Sequence, residues 1–128
     1  MEFGETVVIA DLEAGIGTLT RLGEEKMDVV VIVVEATPKS LEVGTRAAEI
    51  VNRRATGRLV VVANRVRSDA DRDTIQRAFP GIDVVPIPDD PAIVEADRHG
   101  LAPLDRSPDA PAVRALVDFA HSLLPIPV

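Results

Sequence analysis

Val29-Val30-Val31-Ile32-Val33-Val34, closed by Glu35-Ala36-Thr37-Pro38, is the stretch on which the fold turns. Valine and isoleucine are stiff at χ1, fit a helix poorly and suit an extended strand. The run has no polar alternation, so it reads as a strand apolar on both faces. Such strands belong inside a parallel sheet covered by helices on either side. The run is also far shorter than the roughly 20 apolar residues that a membrane-spanning helix needs.

Working outward from it, the pattern switches to helical spacing between Ser40 and about Arg54. Leu41, Gly44, Thr45, Ala48 and Val51 share one face, with Ser40 as the expected N-cap and Gly57 as the closing residue. Leu59–Ala63 reads as the next strand and ends at Asn64. Ser68 then caps a helix through about Ala78, with acids in its first turn, and Pro80-Gly81 stops it. Ile82–Val85 is a short strand, Pro86–Asp90 a loop, Pro91–Arg98 a short helix, and Ala110–Leu124 a terminal amphipathic helix. On the other side, Thr6–Ala10 reads as a buried strand ending in Asp11. Gly15 and Gly17 mark a loop there, and Thr18–Lys26 a short helical crossover. Strands alternating with helices in this way predict right-handed βαβ units, a mainly parallel sheet and an α/β fold over 1–128 as one domain.

Composition narrows the function. The chain has 128 residues, 46% of them hydrophobic and 27% charged, in the range of an ordinary globular domain. With three Phe and neither Trp nor Tyr, the core must be aliphatic. A formal net charge of -7 repels phosphate backbones, so direct nucleic-acid binding is not expected. Arg53, Arg54, Arg58, Arg65, Arg67 and Arg72 do cluster, but Asp69, Asp71 and Asp73 interleave with them as on a solvated helix face. The absence of cysteine excludes disulfides and thiolate metal sites, and His99 and His121 lack metal-ligand spacing. Met1–Thr6 does not read as a signal peptide and no run reads as a membrane segment, so the expected location is the cytoplasm.

In open parallel sheets, ligands gather beyond the carboxyl ends of the strands. The candidate stretches are therefore Asp11 to Gly17, Glu35 to Ser40, Asn64 to Arg67, and Pro86 to Asp90. An aspartate at a strand end can hold magnesium through water, and a following glycine lets backbone approach a phosphate, although acid-plus-glycine loops are common. Asn64 offers both a donor and an acceptor to a base edge, or equally caps its own turn. The Pro86-Ile87-Pro88-Asp89-Asp90 stretch could line a flat pocket or simply lead into a helix cap.

The ordered combination is more specific than its parts. Asp11-Leu12-Glu13-Ala14-Gly15-Ile16, the Asn64-Arg65 pair and the Pro88-Asp89 turn resemble the MinD/ParA/CooC branch of P-loop ATPases, as do the EATPKSL stretch from Glu35 to Leu41 and Ile93 to Gly100. The likeness runs from about Thr6 to Leu124 and is nearest to the CooC-type nickel-insertion ATPases. The resemblance implies ATP or ADP with Mg2+ as cofactors. It places Asp11 at the Walker B/switch II position near the metal and the attacking water, and Gly15 as the switch glycine. Asn64, with Arg65 beside it, would contact the adenine, and Pro88 and Asp89 would flank the base.

The chain departs from that pattern in two ways. Nothing in it matches the phosphate-binding G-x-x-x-x-G-K-[ST] loop: Gly23 is followed by Glu24, and Lys26 by Met27. The cysteine pair that CooC-type proteins use for nickel is also absent. The expectation is thus a partial P-loop NTPase fold missing the P-loop strand, normally central in the sheet, and inactive as an ATPase on its own. Thr6–Ala10 and Val29–Val34 should then pair directly, self-associate, or bind a partner chain that supplies the missing half. Two other readings stand beside this one. The first is a non-catalytic dimerisation or regulatory remnant of the same fold. The second is an NAD(P)-binding Rossmann-like domain, suggested by Gly15-Ile16-Gly17 with Glu35 twenty residues beyond Gly15, although Thr20 occupies the third glycine position.

Overall fold

The computed structural model describes residues 7–12, 27–54 and 57–124. Its sheet has three parallel strands, β1 (Val29–Val34), β2 (Arg58–Val66) and β3 (Asp83–Pro88), in the order β1-β2-β3. Helix α1 (Pro38–Arg54) connects β1 to β2 and α2 (Asp69–Ala78) connects β2 to β3. After β3 come α3 (Pro91–Arg98), the single turn α4 (Pro103–Arg106) and α5 (Pro111–Leu123). The α/β reading with a parallel sheet and flanking helices is thereby borne out.

The register follows from the apolar runs. Val29 pairs with Arg58 and Val34 with Ala63, while Val60 pairs with Asp83 and Ala63 with Pro86. One face of the sheet carries Ile32, Val34, Val61 and Ala63, which pack with Ala47 and Ala48 of α1, Ile75 of α2 and the following Phe79. The opposite face carries Val62 and Ile87, which pack with Ala112, Ala115 and Phe119 of α5. Helix α1 lies so close to β1 that a Cβ on Gly44 would come 2.5 Å from Val34 Cγ1 and 3.1 Å from Phe79 Cζ. Gly57 enters β2 at φ 46, where a side chain would also strike the backbone oxygens of Met27 and Asp28, so only glycine fits this turn.

Several boundaries differ from the sequence reading, each for a local reason. Helix α1 starts at Pro38, not Ser40, because Thr37 is the better cap: its Oγ1 accepts the Ser40 N–H at 3.3 Å, and proline fits the first helical position. Ser40 instead accepts the Glu35 N–H at 2.9 Å and tethers the end of β1. Strand β2 runs on to Val66, and β3 runs through Pro88 rather than stopping at Val85. Prolines are tolerated there because β3 is an edge strand. Ser68 caps α2 as expected, its Oγ accepting the Asp71 N–H at 3.2 Å, and Pro91–Arg98 matches the predicted helix.

Two corrections matter more. Val7–Ala10 forms no strand: it has no regular secondary structure, and Val7, Val8 and Ile9 are 63%, 54% and 89% exposed. An isolated strand leaves its backbone polar groups unpaired, and β1 does not take it as a neighbour. Strand β1 in turn is not buried on both faces, since Val31 and Val33 remain exposed while Val30, Ile32 and Val34 are buried. Gly15, Gly17 and the predicted Thr18–Lys26 crossover lie outside the described residues.

Candidate functional site

The residues that follow the three strands meet at one end of the sheet. Because Val34 pairs with Ala63 and Ala63 with Pro86, their successors Glu35, Asn64 and the Pro86–Asp89 segment emerge side by side. The pairing between β2 and β3 slips between Ala63 and Val66, where β2 spends one residue more than β3 before Val66 meets Pro88. This bulge contains Asn64 and Arg65, and Arg65 adopts the left-handed conformation at φ 54. A non-glycine residue held there stores on the order of 1–2 kcal/mol, and bulges of this kind re-aim side chains at strand ends.

Charge holds the bulge in place. The Arg65 guanidinium donates to Glu35 Oε1 at 3.4 Å on the β1 side and to Asp89 Oδ1 at 3.4 Å on the β3 side. Arg67 donates to the other Asp89 oxygen at 3.2 Å, and the Asp89 N–H donates to the Val66 carbonyl at 3.0 Å. All four side chains face solvent, so each pair contributes at most about 1 kcal/mol. Their effect is geometric: they stitch the carboxyl ends of all three strands together. These bonds are made by the neighbours of Asn64 and leave its half-buried carboxamide out.

Beneath this row, Asp90 ties down the helices that follow. Its Oδ1 accepts the Ala92 N–H at 2.9 Å, capping α3, and its Oδ2 accepts the Ala112 N–H at 3.0 Å, anchoring the first turn of α5. The Ala112 N–H, and then the Ala92 N–H, hold the Asp90 carboxyl below its ordinary value of 3.8, against the opposing effect of partial burial. The sequence reading foresaw a helix cap here but not one carboxylate serving two helices. Nothing local signals the second bond, which spans 22 positions.

The predicted site residues therefore divide. Asn64, Arg65, Pro88 and Asp89 come together at the strand ends, and Glu35 and Arg67 join them. Asp11 does not sit at a strand tip; it is exposed on the irregular Val7–Leu12 segment. Gly15 lies outside the described residues. The Asn64 carboxamide carries both a donor and an acceptor, and among the described residues it takes no part in the ion-pair row. Among the described residues, no group of three or more His, Asp or Glu side chains stands close enough to hold a metal ion.

No protein-family profile matches the chain. Individual proteins do. It is 32% identical over 118 residues to the carbon monoxide dehydrogenase accessory protein CooC of Rhodospirillum rubrum, covering 91% of this chain and 43% of that protein. It is 27% identical over 122 residues to an uncharacterized ATP-binding protein of Methanocaldococcus jannaschii, covering 92% of this chain and 46% of the relative. The chain thus spans less than half the length of these curated relatives. Among solved structures, the cell division ATPase MinD of Pyrococcus furiosus shares the fold with a TM-score of 0.58 at 18% identity, over 75% of this chain and 42% of that one.

Proposed function

From the premise that this chain belongs to the MinD/ParA/CooC-type P-loop ATPases and corresponds to less than half of their length, we propose that it forms the base-binding side of an ATP or ADP site. One observation carries the reading: Asn64, Arg65, Pro88 and Asp89 stand together at the carboxyl ends of parallel strands, on a bulge that leaves the Asn64 carboxamide outside the ion-pair row. In this reading Asn64 pairs with the adenine edge, and Pro88 and Asp89 bound the slot for the ring. Arg65 is a positioning residue, strained into place and held by carboxylates on both sides. Asp11 would approach magnesium through water beside the nucleotide phosphates, and Gly15 would act as the switch glycine.

The phosphate-binding loop is proposed to come from polypeptide outside this sequence, and the chain by itself is proposed not to turn over ATP. Calorimetric titration with ADP, AMP and NADH is the deciding experiment. The expected result is weak binding of ADP and AMP that disappears in Asn64→Ala. Magnesium-dependent hydrolysis abolished by Asp11→Ala would show that the chain needs no complement. NADH binding lost in Glu35→Ala would replace the adenine reading with the dinucleotide one.

A further inference from the structure

Both oxygens of the Asp89 carboxylate are taken. Oδ1 accepts from Arg65 Nε at 3.4 Å and Oδ2 from Arg67 Nε at 3.2 Å. The two arginines are in turn held from behind. Arg65 also donates to Glu35 Oε1 at 3.4 Å, past the end of β1. The Arg67 N–H donates at 3.0 Å to Oδ2 of Asp71, in the first turn of α2. The Asp89 N–H donates to the Val66 carbonyl at 3.0 Å, so the acid is fixed at its root as well. One carboxylate at the border of the proposed base slot is thus held by two cations, each with its own support.

Purine chemistry gives this arrangement a meaning. Guanine presents adjacent N1–H and N2–H donors, which a free carboxylate accepts side by side. Adenine presents at the same edge an N1 lone pair, which a carboxylate repels, beside its amino group. Bonds to an ionised acceptor are among the stronger ones, so a bare aspartate here would favour guanine. Resting on the function proposed above, we infer that Arg65 and Arg67 decide which purine the site accepts. By engaging Asp89 they deny guanine its acceptor and neutralise the charge that adenine N1 would meet. Base reading is left to the Asn64 carboxamide, whose donor and acceptor match adenine N1 and the adenine amino group. The two arginines are positioning residues: they act through Asp89 and not on the nucleotide. Both pairs are exposed and individually weak, which is why the acid is gripped twice.

The test is titration calorimetry of the full chain with ADP and GDP. The wild type should favour ADP. Arg65→Gly combined with Arg67→Gln frees both oxygens and keeps a residue that accepts the left-handed backbone. It should raise GDP affinity relative to ADP by about tenfold or more, the worth of a hydrogen bond to a charged acceptor. Adding Asp89→Asn should reverse that gain. Arg67→Gln alone leaves the bulge residue in place and should move the ratio the same way by less, so a double variant that fails to fold does not end the test. If the row merely stitches the strands together, both nucleotides weaken in step. An unchanged ratio, or a wild type that prefers GDP, overturns the inference, while ADP binding lost in Asn64→Ala still upholds the nucleotide site. Binding of neither nucleotide by any of these chains removes the site and this inference with it.

Discussion

β1 and the heart of β2 are nearly the same string, VVVIVV against LVVVA, and they lie side by side in register. Yet Val60 and Val61 are fully buried, whereas Val33 is 61% exposed. Composition does not separate the two; neighbours do. Among the described residues, β2 has a strand on each side, α1 and α2 on one face and α5 on the other, while β1 has one strand and one covered face. A run of valines specifies a strand and demands burial, but it does not supply what buries it.

The widest gap between the strands should appear with Val61→Asp set against Val33→Asp. A charge at Val61 has neither water nor a partner and should abolish folding, a loss beyond about 4 kcal/mol, while the same change at Val33 should leave a cooperative urea transition. Equal losses would mean that β1 is buried in solution. Gly44→Ala probes the covered face of β1. The added methyl meets Val34 at 2.5 Å, so denaturation midpoints should report a loss of about 1–3 kcal/mol.

At the strand ends, Arg65→Val should cost about 1–2 kcal/mol, because a β-branched residue tolerates φ 54 poorly. Arg65→Gly should cost less than Arg65→Val, since it relieves the strain as it removes the ion pairs. The opposite order would show that the left-handed backbone at this position carries no strain. The fastening of α5, which makes the second face of β2 differ from that of β1, depends on Asp90. Its carboxyl titrates lower in the folded chain than the ordinary 3.8, so its contribution is full above that value and is lost as pH falls through the lower folded value. Wild-type and Asp90→Ala urea midpoints should therefore stay apart at about pH 5 and above and converge in stronger acid. The smallest effect is expected for Val33→Thr, within about 0.5 kcal/mol in the isolated chain, with improved solubility as its visible consequence.

Most of the layout was legible from the chain because its signals are local. Ser68 followed by acids starts α2, Asp90-Pro91 starts α3, and the Val/Ile runs mark β1 and β2. The strand-end cluster was legible in part, since a parallel sheet sends Asn64 and Asp89 to the same end whatever their spacing in sequence. The Glu35–Arg65–Asp89–Arg67 row was not, because its members lie 22 to 30 positions apart and meet only once the register is fixed. The left-handed bulge at Arg65 is equally invisible locally, as no glycine announces it.

The sequence by itself determined which segments extend, which coil and where most helices begin, because side-chain stiffness, capping and proline act within a few residues of themselves. It also carried the likeness to the MinD/ParA/CooC ATPases, in strings of which Asn64-Arg65 and Pro88-Asp89 stand at strand ends and the one beginning at Asp11 does not. Only the tertiary structure decided which of those strings became strands at all. Val7–Ala10 has the residues of a buried strand and lies in the open, and β1 has those of an interior strand and stands at an edge, since a strand exists only through the hydrogen bonds and cover that its neighbours bring.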